Sequence, residues 1–280
     1  MDMYKYCESI TKKNNIDLFR LFYTLPYEKS SALFAFYAFY KTVDNSIDEH
    51  NDVHELDNIN DHLKNLYQGL YVNDTLFQAL KDSLKRYPNS IVHFQNIIKA
   101  VRNDYYHNFI RTEAELDEYC LNVSGSIQLL YTPVFASKNY KEHRQLLEII
   151  AKNIGYAIQI TNILRDVGED IKNDRIYLTD EMLNKHGASP RDIINGVITI
   201  EYINVIKEYI EKAKESYNVL YDNIELYDED SRAVLLTAVK NYENILDRII
   251  ANKYDNFNIK SKVLYVSKIF NFIRFKIKYH

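Results

Sequence analysis

Gln159-Ile160-Thr161-Asn162-Ile163-Leu164-Arg165-Asp166-Val167-Gly168-Glu169-Asp170 is the stretch on which the reading of this chain turns. Wound as a helix, it stacks Asn162, Asp166 and Asp170 at i, i+4 and i+8, so three oxygen-bearing side chains lie along one face. Carboxylates four apart cost a helix a few tenths of a kcal/mol, and acid at a helix's C-terminal end also opposes the macrodipole. Such a face wants a cation. Ile149, Ile154, Ala157 and Ile160 carry an apolar helical spacing back to about Tyr140, so the acids close a long central helix. The loop that follows, Lys172 to Tyr177, is expected to place a cation beside them.

The same spacing recurs in Asp44-Asn45-Ser46-Ile47-Asp48, again at the end of an apolar helical pattern. With 39 acidic residues in 280, about five i,i+4 acidic pairs arise by chance, most of them on solvated faces, so the spacing alone decides nothing. Position at a helix end, an apolar run-up and the flanking Asn162 and Arg165 set these two apart.

Only 6 Gly and 4 Pro, with no long polar linker, favour a single domain over residues 1–280. The 25 Tyr and 13 Phe, with no Trp, predict aromatic buried surfaces whose many hydroxyls need partners. A net charge of -4 leaves no nucleic-acid footprint. Cys7 and Cys120 make no disulfide framework, which suggests a reducing compartment, and the polar N-terminus has no secretory h-region. The longest apolar run, Ala32 to Tyr40, is far short of the roughly 20 residues that span a bilayer. A soluble, cytoplasmic protein is expected.

Helical periodicity runs throughout, without repeated strand-like alternation, so the fold class is all-α. A first helix covers about Asp2 to Lys13 and breaks at Asn14-Asn15; Asp17 is expected to cap the next turns. Pro26 opens a helix carrying Leu33, Phe34, Tyr37, Tyr40, Lys41, Asp44 and Asp48. Two helices, broken near Val72-Asn73-Asp74, fill the polar stretch from Asp52 to Pro88. Another helix keeps Ile91, Phe94, Ile98, Val101 and Tyr105 in a 3,4 rhythm. Thr112 and Glu115 form a capping box for a helix through Tyr119 and Gly125 that ends near Pro133. Gly125 costs that helix about 1 kcal/mol against Ala, which points to close packing or ligand approach. Ser189-Pro190 starts a short helix, Ile203 to Tyr227 repeats steps of three and four, and a further helix from about Asp230 to Tyr254 carries Tyr242. After Asp255 the tail holds six Lys or Arg and no acid, interleaved with Phe270, Phe272, Ile273 and Phe275. Such a basic amphipathic helix suits contact with an anionic membrane surface, while the plainer reading is a terminal helix packing its apolar side on the bundle.

Two acidic helix faces more than a hundred residues apart meet across a helical bundle, and hard oxygen ligands select Mg²⁺, which keeps waters and takes phosphate as co-ligand. Carboxylate, Mg²⁺ and arginine bind a diphosphate and stabilise it as it leaves. Since the wall leading to the acid is apolar and aromatic, the organic part should be a hydrocarbon. Together these imply ionisation of a prenyl diphosphate, with aromatic faces stabilising the carbocation. There is no His-Glu-x-x-His, no clustered cysteine, no Gly-rich phosphate loop and no Gly-x-Ser-x-Gly elbow.

Asn162 to Asp170, followed by Asn173, Arg175 and Tyr177, resembles the second aspartate motif of the squalene and phytoene synthases, among which the bacterial dehydrosqualene synthases are most alike. Asp44 to Asp48 resembles the first motif. Tyr119-Cys120 with Val123, Gly125 and Thr132-Pro133 resembles the family's central helix, and the likeness runs from about Lys5 into the 240s. It implies an isoprenoid-synthase bundle with a central apolar cavity that joins two farnesyl diphosphates head to head through presqualene diphosphate. By resemblance Asp44, Asp48, Asn162, Asp166 and Asp170 bind Mg²⁺. Asn15 falls at the family's diphosphate clamp, and Tyr37, Lys41, Gln159, Arg165 and Tyr242 contact diphosphate or line its site. Tyr119 would sit near the reacting carbons, or else be a core tyrosine with a satisfied hydroxyl.

Three departures stand out. Asn15-Ile16-Asp17-Leu18 replaces a Ser-x-Ser-Phe clamp, and Asp17 cannot hydrogen-bond an anion while ionised. Lys41 replaces an arginine fork with a point charge, and Asn45 replaces the commoner second aspartate. Bulky Phe22 and Phe34 would close a tunnel at farnesyl length, favouring dehydrosqualene over phytoene. Squalene, made with NADPH, is the other product reading. From a different class, a noncatalytic helical protein that binds membrane or a partner fits the same departures.

Overall fold

A computed structural model describes residues 2–50, 52–106, 109–263 and 265–279, with every side chain among them but those of Asp48, Tyr265 and Val266. The metal role expected of Asp48 therefore falls on a side chain outside the described residues. The chain folds as α1 (Met3–Asn14), α2 (Ile16–Phe22), α3 (Tyr27–Asp48), α4 (Val53–Tyr67), α5 (Thr75–Arg86), α6 (Ile91–Tyr106) and α7 (Glu113–Cys120). A π-helical turn, Leu121–Gly125, leads into α8 (Ser126–Phe135) and α9 (Tyr140–Lys172). Short helices α10 (Asp180–His186) and α11 (Pro190–Ile194) precede α12 (Ile200–Asp222), α13 (Glu229–Ala251) and α14 (Tyr265–Tyr279). Among the described residues the only β pairing is an isolated bridge between Phe109 and Ile176.

The helix starts follow local chemistry. Asp2, Asn15, Asp52, Asp74, Thr179 and Thr199 each accept a backbone N–H of the first turn, and Thr112 and Glu115 complete the capping box. The cap of α2 is a correction: Asn15 holds it, accepting from Leu18 N, while Asp17 lies inside the first turn. Asn15 has the non-helical backbone a cap needs, φ -146 and ψ 85. Pro133 lies within α8, which runs two residues further than expected, to Phe135.

α9, 33 residues long, is the axis, packed by α12, α8, α13 and the π-helical turn. It buries Leu147, Ile150, Ile154, Ala157, Ile158 and Leu164. A Cβ on Gly155 would collide with the backbone of Gly125, so the close packing expected at Gly125 is a glycine-on-glycine contact. The fully buried tyrosines mostly find partners: Tyr217 Oη lies 2.9 Å from Thr161 Oγ1, and Tyr209 donates to Glu113 at 2.7 Å. Among the described residues no helix is long and apolar enough to cross a membrane.

Candidate active site

A cavity of about 240 Å³ lies between α2, α3, α8, α9 and α13. Its walls are Leu18, Phe22, Tyr37, Tyr131, Phe135, Ile154, Ile158, Leu235 and Val239, and its polar end carries Asn15, Gln159, Asn162, Arg165 and Tyr242. Phe22 lines the cavity, edge-on to Tyr131 at 5.6 Å and beside Phe34 at 5.9 Å between ring centroids. Phe34 itself does not line the space. The Ser124 hydroxyl, brought in by the π-helical turn, donates to Gln159 Oε1 at 2.6 Å and fixes that amide on the wall.

A second space of about 320 Å³ adjoins the first, sharing Asn15, Leu18, Leu21, Arg165, Ala238 and Tyr242. It is lined further by Asp17, Asn241, Lys260, Lys262 and Lys268. An apolar tunnel thus opens into a cation-rich vestibule, and Arg165 stands in both.

The C-terminal segment is pinned where it meets the second motif. Lys253 and Tyr254, both left-handed at φ 56 and 62, turn the chain back after α13. Asn256 Nδ2 donates to the Leu164 carbonyl at 2.6 Å, the Asn256 carbonyl accepts from Gly168 N at 3.1 Å, and Tyr202 donates to Asn256 Oδ1. A Cβ on Gly168 would strike the Phe257 carbonyl, so only glycine admits this approach. The result sets Lys260 Nζ 3.0 Å from Asp166 Oδ1, with Glu169 also bound to it.

Electrostatics divide the second motif. Burial alone would raise the Asp166 carboxyl, but the Arg165 guanidinium, 2.9 Å away through Nε, and the Lys260 ammonium hold it below the usual carboxylate range. Asp170 goes the other way. Burial and the Asp166 charge push it up to about 7, against the pull of Arg175. Arg175 is the cation expected in the loop, and its backbone N–H also donates to the Asp170 carbonyl at 2.9 Å.

In the first motif Asp44 Oδ2 takes Lys41 Nζ at 2.6 Å, and the buried Asn45 Oδ1 has no partner. Tyr37, one turn before Lys41, lines the cavity and lies within electrostatic reach of Tyr242 and Asp44. Arg165 and Asp166 act likewise on Tyr242. The two motif helices thus address one space, although among the described residues no three acids, histidines or cysteines gather as a ready metal cluster. The donor set still fits Mg²⁺, which binds through one or two carboxylates, waters and phosphate oxygens and needs no all-protein cage. Asp44, Asn162, Asp166 and Asp170 offer only hard oxygen.

Tyr119 lies off the cavity wall. Its hydroxyl donates to Asp104 Oδ2 at 3.1 Å, and its ring stacks on Tyr177 at 5.2 Å, so burial pushes the phenol far up. Asp104 at the end of α6 also acts on Asp170, which makes it an acid of this end that the spacing of the two motifs does not announce. In the sequence Lys260 and Lys268 are only cations of a basic tail; in the structure both line the vestibule, and Lys268 forms an ion pair with Asp17. The Tyr131 hydroxyl, buried on the cavity wall without a partner, carried no sequence signal at all.

Fold and site together define an all-helical bundle that encloses an apolar tunnel with arginine and lysines at its polar end, while Asp44, Asp166 and Asp170 lie outside the residues that line it. The family model for squalene/phytoene synthases matches residues 13–269, and the chain belongs to that family. It is 30% identical over 273 residues to the 4,4'-diapophytoene synthase of Staphylococcus haemolyticus (strain JCSC1435), covering 95% of this chain and 92% of that one. Against the chloroplastic phytoene synthase of Narcissus pseudonarcissus it is 32% identical over 248 residues, covering 86% of this chain and 57% of the plant protein. A ligand-bound dehydrosqualene synthase structure superposes with a TM-score of 0.91 at 29% identity, over 99% of this chain and 96% of that one. A squalene synthase from Alicyclobacillus acidocaldarius shares the fold, with a TM-score of 0.81 at 21% identity over 90% and 94% of the two chains. The all-α isoprenoid-synthase bundle expected from the sequence is the fold observed.

Proposed function

We propose that this chain, as one domain, condenses two farnesyl diphosphates head to head, through presqualene diphosphate, to dehydrosqualene (4,4'-diapophytoene). Two diphosphates and two protons leave for each hydrocarbon formed, one of each as presqualene diphosphate forms and one of each as it is consumed. The observation that carries the reading is the aromatic-walled tunnel that opens through Arg165 onto a lysine-lined vestibule. Its partner is the family match, which includes a relative whose product bears that name.

Mg²⁺, held by Asp44, Asp48, Asn162, Asp166 and Asp170, would neutralise diphosphate charge as the carbon–oxygen bond breaks. Arg165, Lys41 and Lys260 offer further positive charge to the leaving group, and Asn15, Gln159, Tyr37 and Tyr242 orient it at the tunnel mouth. Phe22, Tyr131 and Ile158 exclude water from the allylic cation and present ring faces to it. Tyr119, tied to Asp104, is read as a group that acts on the reacting end from behind the acids. The location reading is a cytoplasmic protein whose basic C-terminal helix meets the inner face of the membrane, supported by the six cations after Asp255.

Incubation with farnesyl diphosphate and Mg²⁺, with and without NADPH, tests this. Dehydrosqualene formed without reductant is the expected product. Reductant-dependent squalene, a preference for geranylgeranyl diphosphate, or no turnover would each overturn it.

A further inference from the structure

α14 carries two apolar faces, and the bundle uses one. Phe275 and Asn271 are buried, Phe272 and Tyr279 are partly buried, and Asn271 Nδ2 donates to Asn241 Oδ1 of α13 at 3.1 Å. The helix therefore packs on the bundle through this side, one of the two expectations for the tail. On the opposite side Ile269, Phe270, Ile273 and Ile277 form a stripe at helical spacing, exposed by 42%, 63%, 51% and 77%. A terminal helix that needed only one neighbour would show polar residues there.

The charges around the stripe have one sign. Arg274 and Lys276 flank it, with Lys278 beyond, and among the described residues none of the three pairs with an acid. Lys276 lies 5.8 Å over the Phe272 ring and Arg274 5.8 Å over Phe275, so the stems lie along the helix while the charges stay available. The whole chain is net negative at -4, so this cationic tail is a local reversal of its charge. The stripe also continues into the site: Lys268 and Ile269 line a small cavity with Asp17, Leu21 and Asn241, and all but Ile269 line the vestibule too.

We propose that the outward face of α14 docks the protein on an anionic lipid bilayer, with Phe270, Ile273 and Ile277 inserted and Arg274, Lys276 and Lys278 on the headgroups. Apolar side chains of this size between basic ones, lying along a surface helix, match an interfacial anchor. The inference deepens the proposed function and rests on it for its purpose. A prenyl chain and a hydrocarbon product are both oils, and a mouth beside the bilayer lets each pass without crossing water.

The test is flotation of the full, substrate-free chain with vesicles of phosphatidylcholine alone or with about 30% phosphatidylglycerol. The expected result is binding to the anionic vesicles that weakens with salt. Phe270→Ser/Ile273→Ser/Ile277→Ser and Arg274→Gln/Lys276→Gln/Lys278→Gln should each lower it at least tenfold while keeping the wild-type melting temperature and product formation in detergent. Failure of the wild type to float, or equal flotation of the apolar variant, overturns the proposal. So does self-association in sedimentation that the apolar variant abolishes without any vesicle binding, since the face would then belong to a second copy. Vesicle binding with no hydrocarbon formed would leave the docking face standing and remove the catalytic reading.

Discussion

The two ends of α3 are built on opposite terms. Lys29, near its start, reaches Asp228 at 2.7 Å, Ser231 at 3.0 Å and Asp230, and Asp228 in turn accepts from Ser137 N at 3.0 Å and Lys138 N at 3.1 Å. That knot ties α3, the α8–α9 turn and the start of α13, and each buried charge in it has several partners. Asp44 lies fifteen residues on, roughly 22 Å along the helix, and has Lys41 of its own helix 2.6 Å away. Beside it the Asn45 side-chain oxygen, Oδ1, is buried without a partner. One end has spent its hydrogen-bonding capacity on the fold, while the other holds its acids by local, replaceable cations. Asp166, paired with its neighbour Arg165 and with Lys260 of the returning chain, repeats the second pattern.

The largest effect should come from breaking the replaceable side. Under the proposed function Asp166→Asn removes a charge that faces the metal and the diphosphate, without removing volume, so turnover should fall about a thousandfold or more. Stability should stay within about 1 kcal/mol, because the side chain is a mouth group rather than a core one. Steady-state rates beside urea unfolding check both halves, and a near-normal rate would take Asp166 out of the site.

The converse variant, Asp228→Ala, should cost about 1–3 kcal/mol of stability, because buried Lys29 keeps only the part-exposed Asp230 as counter-charge and the Ser137 and Lys138 N–H groups lose their acceptor. Its pH dependence has a defined sign. Burial would raise Asp228, but Lys29 and Ser137 outweigh it and hold the carboxyl below the usual range. A depressed carboxyl contributes stability that is present above the value of a free aspartate, about 3.9, and is lost as pH falls through the lower folded value. The gap between wild type and variant should therefore be constant above about pH 5 and close below about pH 4. At temperatures where the variant stays folded, its KM for substrate should not move.

Between the two ends, the tunnel wall sharpens the comparison. Phe22→Leu shortens this wall residue while leaving an apolar side chain, so the ratio of kcat/KM for geranylgeranyl over farnesyl diphosphate should rise about tenfold, at about 1 kcal/mol of stability. An unchanged ratio would mean that Phe22 does not set the tunnel length.

What was legible in the sequence follows the same division. The helices were readable because local spacing and caps decide them, and α9 and its acidic end emerged almost as expected. Gly125 announced a close approach, but Gly155 as its partner did not, since a contact across thirty residues has no period. Asp17 does not cap α2, because Asn15, two residues earlier, takes the non-helical backbone and leaves Asp17 to Lys268. Lys260 and Asp104 were invisible as site residues, for they reach the acids only through the turn at Lys253-Tyr254 and the end of α6. Tyr119 is placed near the reacting carbons by resemblance alone; it does not line the cavity, and the π-helical turn Leu121–Gly125 lies between it and the cavity residues Ile127 and Gln128.

The smallest expected effect tests how replaceable the mouth cations are. Lys41 is a point charge satisfied by Asp44, and a substrate diphosphate must compete with that carboxylate for it. An arginine there offers a planar fork that can hold Asp44 with one edge and an anion with the other, so Lys41→Arg should lower KM by about two- to fivefold, under 1 kcal/mol, with kcat unchanged. Both side chains are cationic and about a fifth of Lys41 is exposed, so stability should not shift measurably. A raised KM with an intact melting temperature would mean that Lys41 serves chiefly to hold Asp44 in place. In that case the C-terminal end of α3 would be more like its N-terminal knot than the geometry implies.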